Sequence, residues 1–355
     1  MASQTSSKAQ QRFVWVWKSN VDPWSNVEPD EWKRYSDIAN YMIESAYKQK
    51  QSQVELNDVW INFNFEVQIN KQDSNRQRPI KRITQGEEYI RQERYTLEEP
   101  QLTPKSFSST DSSWCKFLQA AGYFDTDISA NALAEKAAAG IVEEGTKLGE
   151  KTDAEAMADA LKKAKRKGIE EIRVCCARLY TMNSFLYKLI NKVMRNAEVR
   201  YGRFVHESDK NYARTLGPYC YLLWRYLYAK NRETGIVVFR CAELTKEMID
   251  DYKKHQGQRV SWDAFTSTTK KKQIAINFDK NTLFHIFINN ERDSLGGPFY
   301  HPRWPVRAVD ISSLSEYPYE EEVLLAAGTQ MEINSIEYDR KINKYCIALT
   351  AYGRN

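Results

Sequence analysis

The sequence predicts an α+β protein built from a small N-terminal domain and a larger C-terminal domain. At 355 residues the chain exceeds the usual size of a single domain. Helical spacing alternates with strand spacing in the first hundred residues, and a helical region later precedes a series of strand patterns that begins at residue 236. A Pro- and Ser-rich stretch separates the two parts. We therefore expect domains at residues 12–95 and 114–355, joined by a linker at residues 96–113.

Composition and charge exclude several classes of protein. Hydrophobic residues make up 42% of the chain and aromatic residues 12%, which excludes a disordered or fibrous protein. The start has no apolar signal segment, and no apolar run approaches the roughly 20 residues that cross a bilayer. We expect an intracellular protein, cytoplasmic or nuclear, without a membrane partner.

The charged and sulfur-containing residues point to no metal and no dedicated nucleic-acid site. The net charge of +5 is small for a nucleic-acid binder of this size. The basic run at residues 162–167 is interpreted as the solvated end of a helix, with a nuclear-import or polyanion patch as the alternative. Six cysteines without a CxxC pair predict free thiols, mostly buried, and four scattered histidines form no metal site.

The first domain is predicted to contain one helix and a sheet. Ser36 is a plausible N-cap, and apolar residues at helical spacing follow it up to about Lys50: Ile38, Tyr41, Met42 and Ala46. From Trp60 to Ile69 the period becomes two, which predicts one strand. Trp60 and Gln68 would then share the face that points to a ligand or water. A turn at residues 73–75 precedes a paired strand that includes Arg78.

Five of the nine tryptophans lie in this domain, at Trp15, Trp17, Trp24, Trp32 and Trp60. Residues 12–84 resemble a WWE domain, which is named for two Trp and one Glu. The candidate signature positions are Trp15 or Trp17, Glu28 or Glu31, and Trp32 followed by Tyr35. The resemblance implies a small half-barrel-like sheet with one helix.

The same resemblance implies a ligand, the ADP-ribose unit of poly(ADP-ribose) or of ADP-ribosylated proteins. In that family a Gln and an Arg ten residues later contact the ligand, and Gln68 and Arg78 have that spacing. A guanidinium suits pyrophosphate and an aromatic ring suits adenine, so Trp60 is the predicted stacking residue. Trp32 and Tyr35 complete the predicted set. The alternative is a scaffold that only binds a partner protein.

Three short segments of the second domain carry its chemistry. They are the Val-Val-Phe-Arg run that ends at Arg240, the Phe-Thr-Ser-Thr-Thr run of residues 265–269, and the Glu-Glu-Glu-Val-Leu run of residues 320–324. Each adjoins a strand pattern. No GxGxxG loop accompanies them, so the sequence does not favour a doubly wound dinucleotide enzyme.

Together and in this order, the three segments resemble the arginine, serine and glutamate (R-S-E) signature of ADP-ribosyltransferases of the toxin and vertebrate ecto-enzyme type. Residues 177–181, with Asn191 and Arg195 beyond them, resemble the helical lead-in of the arginine-specific members. The resemblance covers about residues 170–350. It implies a helical lead-in and two packed β-sheets, NAD+ as substrate without a metal, and a protein acceptor with an exposed arginine.

Cleavage of the nicotinamide bond of NAD+ produces an oxocarbenium ion, which requires a carboxylate near the ribose and a clamp for the pyrophosphate. Arg240 suits the clamp, and the Ser267 hydroxyl would orient the carboxylate or the ribose. Phe265 and Thr268 are assigned to the same NAD+ site. Thr269 stands where the family more often has Ser, and it keeps the hydroxyl.

The acidic run supplies the remaining predicted groups. If residues 320–322 form a strand, Glu320 and Glu322 share one face. By resemblance Glu322 is the catalytic glutamate, and Glu320, two residues before it, holds an arginine guanidinium. Tyr317 and Tyr319 are predicted to stack on that guanidinium, with loop packing as the alternative. Without the other two segments, a solvated acidic loop would be the favoured interpretation.

The sequence thus predicts a mono-ADP-ribosyltransferase that modifies protein arginine and carries a WWE module for ADP-ribosylated targets. Two alternatives stay open. In an NAD+ glycohydrolase, water replaces the acceptor in the same site. In a non-catalytic interaction protein, the WWE domain reads poly(ADP-ribose) and the transferase fold is degenerate.

Overall fold

The computed structural model describes residues 12–84, 107–109, 115–125, 127–289, 306–315 and 317–352. The α+β class is confirmed. The described residues fall into two compact units, one of residues 12–84 together with 145–156, the other of the remaining described residues. Residues 85–95, the end of the predicted first domain, and most of the predicted linker, 96–106 and 110–113, lie outside the described residues.

The first unit is a six-stranded antiparallel sheet with one helix. Its helix is α1 (Asp37–Lys48), and the strands lie in the order β2-β1-β6-β5-β4-β3. Their bounds are β1 (Phe13–Lys18), β2 (Trp32–Arg34), β3 (Gln53–Glu55), β4 (Val59–Asn62), β5 (Val67–Asn70) and β6 (Gln77–Thr84).

Helix α1 begins where the sequence predicts it. The Ser36 side chain accepts a hydrogen bond from the Ala39 amide at 3.1 Å, as an N-cap does. The buried stripe differs in part from the predicted one. Ile43 is fully buried and packs with Trp15, whereas Tyr41 is 64% exposed.

The predicted strand from Trp60 to Ile69 is wrong in one respect that matters for function. It is two strands, β4 and β5, joined by a four-residue turn in which Glu66 has a left-handed backbone (φ 51°). The register pairs Trp60 with Ile69 and Ile61 with Gln68. Directly paired residues of antiparallel strands point to the same side of a sheet. Trp60 and Gln68 therefore lie on opposite faces.

The second unit opens with helices. Their bounds are α2 (Lys116–Ala120), α3 (Ala130–Lys147), α4 (Lys151–Lys165), α5 (Ile169–Thr181), α6 (Phe185–Asn196) and α7 (Glu207–Ala229), with a 3₁₀ helix at Tyr123–Asp125. The end of α3 and the start of α4 belong to residues 145–156 of the first unit. The helical region predicted before residue 236 is confirmed, and Pro218 lies inside α7.

A mixed sheet follows the helices, in the order β14-β15-β12-β10-β13-β17-β16-β11-β7, with a separate hairpin of β8 and β9. Only β13 and β17 pair in parallel among these described strands. The series of strand patterns predicted from residue 236 onward is confirmed. The bounds are β7 (Ser108–Ser109), β8 (Val199–Arg200), β9 (Arg203–Phe204), β10 (Ile236–Ala242), β11 (Arg259–Trp262), β12 (Thr266–Thr269), β13 (Thr282–Asn289), β14 (Ala308–Asp310), β15 (Glu322–Leu325), β16 (Thr329–Asp339) and β17 (Lys344–Tyr352).

Two short helices and two 3₁₀ helices lie between these strands. They are α8 (Lys246–Lys254) and α9 (Lys272–Ile276), with 3₁₀ helices at Ser312–Leu314 and Pro318–Glu320. All six cysteines are free, and four of them are buried, as the sequence predicts. No helix in the described residues is long and apolar enough to cross a membrane.

The predicted linker is not a linker throughout. Strand β7 lies within it and pairs with β11, where Ser108 faces Ser261. Just before it, the Phe107 ring packs edge-on against Tyr252, with ring centroids 4.9 Å apart. The Phe107 ring thus anchors this segment on the core of the second unit. Strand β7 is an edge strand of the nine-stranded sheet, and it lies N-terminal to the predicted boundary at residue 114.

Candidate functional site

Arg240 lies in the middle of β10 rather than at its end. The strand pairs with β13 along its whole length, and Arg240 faces Phe284. Its side chain is 9% exposed, and Nη1 donates a hydrogen bond to the Ser267 carbonyl oxygen at 2.7 Å. The sheet thus holds a permanently charged group rigidly against β12, as a phosphate clamp requires.

A small pocket of about 50 Å³ opens beside this guanidinium. It brings together two guanidinium groups, one carboxyl group and several rings, from Arg195, Arg240, Asp263, Trp262, Phe265 and Phe284. Phe265 was predicted for this site. The combination of cationic groups with apolar walls suits a ligand that carries both phosphates and a flat ring.

Strand β12 presents Ser267 and Thr268 differently. Both are buried. Thr268 donates its hydroxyl to the Val323 carbonyl oxygen at 2.7 Å and points to the opposite face of the strand from Ser267. Its side chain therefore links β12 to β15. Because Phe239 pairs with Thr269, Arg240 lies on the face of Thr268 rather than on that of Ser267, and the assignment of Thr268 to the NAD+ site stays a prediction.

Glu322 joins Ser267 on one face of these two strands. The register pairs Ser267 with Leu324 and Thr269 with Glu322. Paired residues share a face, and every second residue along a strand points to the same face. The same side of the sheet therefore carries Ser267, Thr269 and Glu322. Thr269 thus lies directly opposite Glu322 and Ser267 diagonally to it, and none of the three is more than 3% exposed.

The predicted alternation of Glu320 and Glu322 along a strand is wrong. Glu320 ends the 3₁₀ helix Pro318–Glu320, Glu321 has a left-handed backbone (φ 47°), and β15 begins only at Glu322. Both carboxylate side chains are nonetheless fully buried, whereas the Glu321 side chain is 44% exposed. A solvated acidic loop is therefore excluded for Glu320 and Glu322.

The two tyrosines before this run pack on each other. The rings of Tyr317 and Tyr319 meet edge-on with centroids 6.3 Å apart, and Tyr317 is 3% exposed. Burial leaves the Tyr317 ring no face for an acceptor, so the alternative of loop packing is favoured for Tyr317. Tyr319 is half-buried.

Helices α5 and α6 support the pocket from behind. The Tyr180 hydroxyl accepts a hydrogen bond from Asn191 Nδ2 at 2.7 Å and donates to the Phe265 carbonyl oxygen at 3.4 Å. Its ring also packs edge-on against Phe265, at 5.8 Å between centroids. The helical lead-in therefore fixes the position of Phe265.

The sheet of the first unit brings together three of the five residues predicted to bind ADP-ribose. Gln68 and Arg78 are directly paired on β5 and β6. The Tyr35 hydroxyl donates to Gln68 Oε1 at 2.7 Å, and burial raises the pKa of Tyr35. Arg78 Nη1 donates to the carbonyl oxygens of Lys18 and Asn20 at 3.0 and 2.6 Å. An amide, a phenol and a guanidinium thus line one patch.

Trp60 and Trp32 do not join this patch. Trp60 lies on the other face because of the β4–β5 turn, 5.6 Å from Lys71 Nζ. Trp32 pairs with Lys18, and its ring lies 3.7 Å from Lys81 Nζ, also on the face opposite to Arg78. The predicted common face of Trp60 and Gln68 is therefore wrong, and stacking on Trp60 stays a prediction.

Comparison with known proteins assigns both units. Residues 13–82 match the model of the WWE domain, and residues 149–290 match the model of the NAD:arginine ADP-ribosyltransferases. The chain is a WWE domain followed by an ADP-ribosyltransferase domain. The transferase match contains Arg240 and Ser267 but ends before Glu320 and Glu322. Among curated proteins, none has a sequence that matches this chain.

Several solved structures are similar to this chain. XopAI, a type III effector from Xanthomonas axonopodis pv. citri, has 13% identity and a TM-score of 0.45, over 70% of this chain and 95% of its own. The ADP-ribosyltransferase HopU1 of Pseudomonas syringae has 18% identity and a TM-score of 0.39, over 70% and 100%. Plx2a, an ADP-ribosyltransferase toxin from Paenibacillus larvae, has 15% identity and a TM-score of 0.37, over 54% and 96%.

The structure adds two side chains to the transferase pocket that were not predicted as site residues. Arg195 lies in the last turn of α6 and lines the pocket. In the sequence it was named only as part of the resemblance to the helical lead-in, beyond residues 177–181. Asp263 lies just before Phe265. Burial raises the pKa of Asp263, while hydrogen bonds from Ser108 and Ser261 act against that shift. No sequence signal identified Asp263.

The WWE patch also gains a ring that was not assigned to it. Trp17 lies on the same face as Arg78, whose Cζ is 5.6 Å from the Trp17 ring centroid. The sequence named Trp17 only as one of two signature candidates. Within the part of the chain that the structure describes, no group of three or more His, Cys, Asp or Glu side chains could hold a metal ion.

Proposed function

We propose that this protein is an NAD+-dependent mono-ADP-ribosyltransferase that modifies arginine side chains of other proteins. The observation that carries the proposal is one strand, β12. Its Ser267 carbonyl oxygen accepts from Arg240 at 2.7 Å, and its Ser267 side chain shares a face with the buried Glu322. The main chain of Ser267 thus bonds the proposed phosphate clamp, and its side chain lies on the face of the proposed ribose-directed carboxylate.

The chemistry follows from these groups. Arg240, with Arg195 in the same pocket, would bind the pyrophosphate of NAD+. The bond from C1′ of the ribose to nicotinamide breaks, and nicotinamide leaves with the bonding electrons. Glu322 would stabilise the resulting oxocarbenium ion, because a buried carboxylate acts through a lower effective dielectric than an exposed one. Ser267 would hold the carboxylate or the ribose hydroxyls.

Arginine is the acceptor class that Glu320 suits. A carboxylate accepts two parallel hydrogen bonds from a guanidinium, so it both orients the acceptor and favours loss of a proton as the nitrogen attacks C1′. Glu320 is fully buried and only two residues from Glu322. The match to the NAD:arginine model adds support, although it ends at residue 290.

The WWE domain is proposed to bind ADP-ribose or poly(ADP-ribose) on proteins that already carry it. The patch of Tyr35, Gln68 and Arg78, with Trp17 beside it, offers a guanidinium for pyrophosphate, an amide for polar edges and a ring for stacking. The protein would thus be recruited to modified targets and would modify arginines there. We keep an intracellular location, cytoplasmic or nuclear, as part of this proposal.

Two other functions use the same groups. An NAD+ glycohydrolase needs Arg240, Ser267 and Glu322 but not Glu320. A non-catalytic reader of poly(ADP-ribose) needs none of the four. The burial of both Glu320 and Glu322 favours the transferase, since burying a carboxylate without a function is costly.

The test uses labelled NAD+ with the full chain and an arginine-rich protein, and mass spectrometry maps the modified side chains. We expect ADP-ribosyl-arginine from the wild type. Glu320→Gln should lower transfer by about 10- to 100-fold, the loss of a hydrogen bond between charged groups. NAD+ hydrolysis should persist in that variant. Free ADP-ribose alone from the wild type would support the glycohydrolase, and intact NAD+ would support the reader.

A further inference from the structure

The turn that carries Glu320 requires outside support. Glu321 has φ 47°, a conformation that costs a residue other than glycine about 1–3 kcal/mol. The 3₁₀ helix before it is a single turn, Pro318–Glu320, whose main chain forms local bonds from Glu320 N to Tyr317 O and from Glu321 N to Pro318 O. Contacts from other parts of the chain must therefore hold the turn in this shape.

The last residue of β12 and the two residues after it supply those contacts. Each donates to one of three consecutive carbonyl oxygens of the turn. Lys271 Nζ donates to Tyr319 at 2.6 Å, the Thr269 hydroxyl donates to Glu320 at 2.7 Å, and the Lys270 amide donates to Glu321 at 3.2 Å. The main chain on both sides of the Glu320 side chain is thus fixed to the strand that carries Ser267.

Among the three donors, Lys271 is the one that donates from a charged side chain. Its ammonium donates to the carbonyl of Tyr319 and lies 3.2 Å from Glu321 Oε1, so it connects the residues before and after Glu320. Its side chain is 41% exposed. Hydrogen bonds with a charged donor are about twice as strong as neutral ones. The neighbouring Lys270 has a different role, since its ammonium pairs with Glu233 and Asp310.

We propose that Lys271 is a positioning residue that holds Glu320 in the geometry for the acceptor. This inference rests on the proposed function, because it assigns Glu320 to acceptor binding. Glu322 depends less on Lys271, since it lies in β15 and pairs with Thr269 on the ladder between β12 and β15. Loss of the ammonium should therefore affect the acceptor step more than the cleavage of NAD+.

The kinetic test compares Lys271→Met, Lys271→Arg and the matched control Lys272→Met, whose side chain is exposed at the start of α9. With agmatine as a small guanidine acceptor, Lys271→Met should raise the KM for agmatine about fivefold to tenfold. This is less than the loss of a full charged hydrogen bond, because Lys271 acts on the acceptor only through the turn that carries Glu320. Hydrolysis of NAD+ should stay within about twofold of the wild-type rate, so a larger share of NAD+ goes to water. Lys271→Arg should restore transfer, because it keeps the charge and the donors.

A second measurement tests the contact itself, without activity. Hydrogen exchange of the peptide that covers residues 317–322 should be faster in Lys271→Met than in Lys272→Met, with thermal unfolding unchanged in both. Equal exchange in the two variants would overturn the inference, as would faster exchange with an unchanged KM for agmatine. If the wild type transfers to no guanidine, the proposed acceptor is wrong, and the inference fails with it. Exchange would still report whether Lys271 holds the turn.

Discussion

Replacement of Glu322 by Gln removes a charge at the reaction centre with almost no change of shape. The side chain is fully buried. The main chain at this position makes its own bonds, to Thr269 across the strand ladder and from the Ile311 amide to the Glu322 carbonyl oxygen at 2.9 Å. None of these bonds needs the carboxylate. We therefore expect Glu322→Gln to fold as the wild type does.

The expected loss of rate follows from the lost attraction between the carboxylate and the oxocarbenium ion. Two unit charges about 4 Å apart attract each other by about 4 kcal/mol at an effective dielectric of about 20. A loss of about 4 kcal/mol in transition-state stabilisation corresponds to about a 1000-fold lower kcat. The KM for NAD+ should change much less, because Arg240 and Arg195 remain to bind the pyrophosphate.

Nicotinamide release measures this step whether the acceptor is arginine or water. Glu337→Gln is the control, since Glu337 is an exposed glutamate on β16 of the same sheet. A fall of less than about tenfold in Glu322→Gln, with normal thermal unfolding, would refute the electrostatic role assigned to this carboxylate. Equal falls in both variants would point to general destabilisation instead.

Three further predictions concern binding, pH and packing. Arg78→Met should abolish the binding of poly(ADP-ribose) in calorimetry, whereas Arg76→Met, with its 79% exposed side chain, should bind as the wild type does. The Arg82 guanidinium lowers the pKa of Glu44 from 4.5 to about 2. The Glu44–Arg82 pair should thus add about 1–2 kcal/mol to the free energy of unfolding above pH 4.5, and this contribution should decline as the pH falls toward 2. In urea unfolding, the free energies of wild type and Glu44→Gln should therefore converge over that range. Gly140→Ala should lower the free energy of unfolding by about 1–3 kcal/mol, although Ala has the better helix propensity. The reason is that the added Cβ would lie 1.8 Å from a main-chain oxygen of α7. An unchanged melting temperature would contradict this.

Local signals in the sequence predicted the elements well. The cap at Ser36 and the strand patterns after residue 236 lie where they were expected, because capping and side-chain alternation involve only neighbouring residues. The predicted side-chain faces were wrong where a turn interrupted the alternation of side chains along a strand. A four-residue turn inside residues 60–69 divides the predicted strand into two, and the pairing of these strands places Trp60 on the face opposite to Gln68. A left-handed residue at Glu321 likewise ended the expected alternation of Glu320 and Glu322.

By itself, the sequence determined the α+β class, the two kinds of domain and the residue types that NAD+ chemistry requires, since these depend on composition, order and short spacing. The tertiary structure decided which side chains meet. Arg195 and Asp263 join Arg240 in one pocket, and Trp17 rather than Trp60 joins Arg78. Such meetings depend on strand register and on packing between elements far apart in the chain. Hydropathy periods carry no information about either.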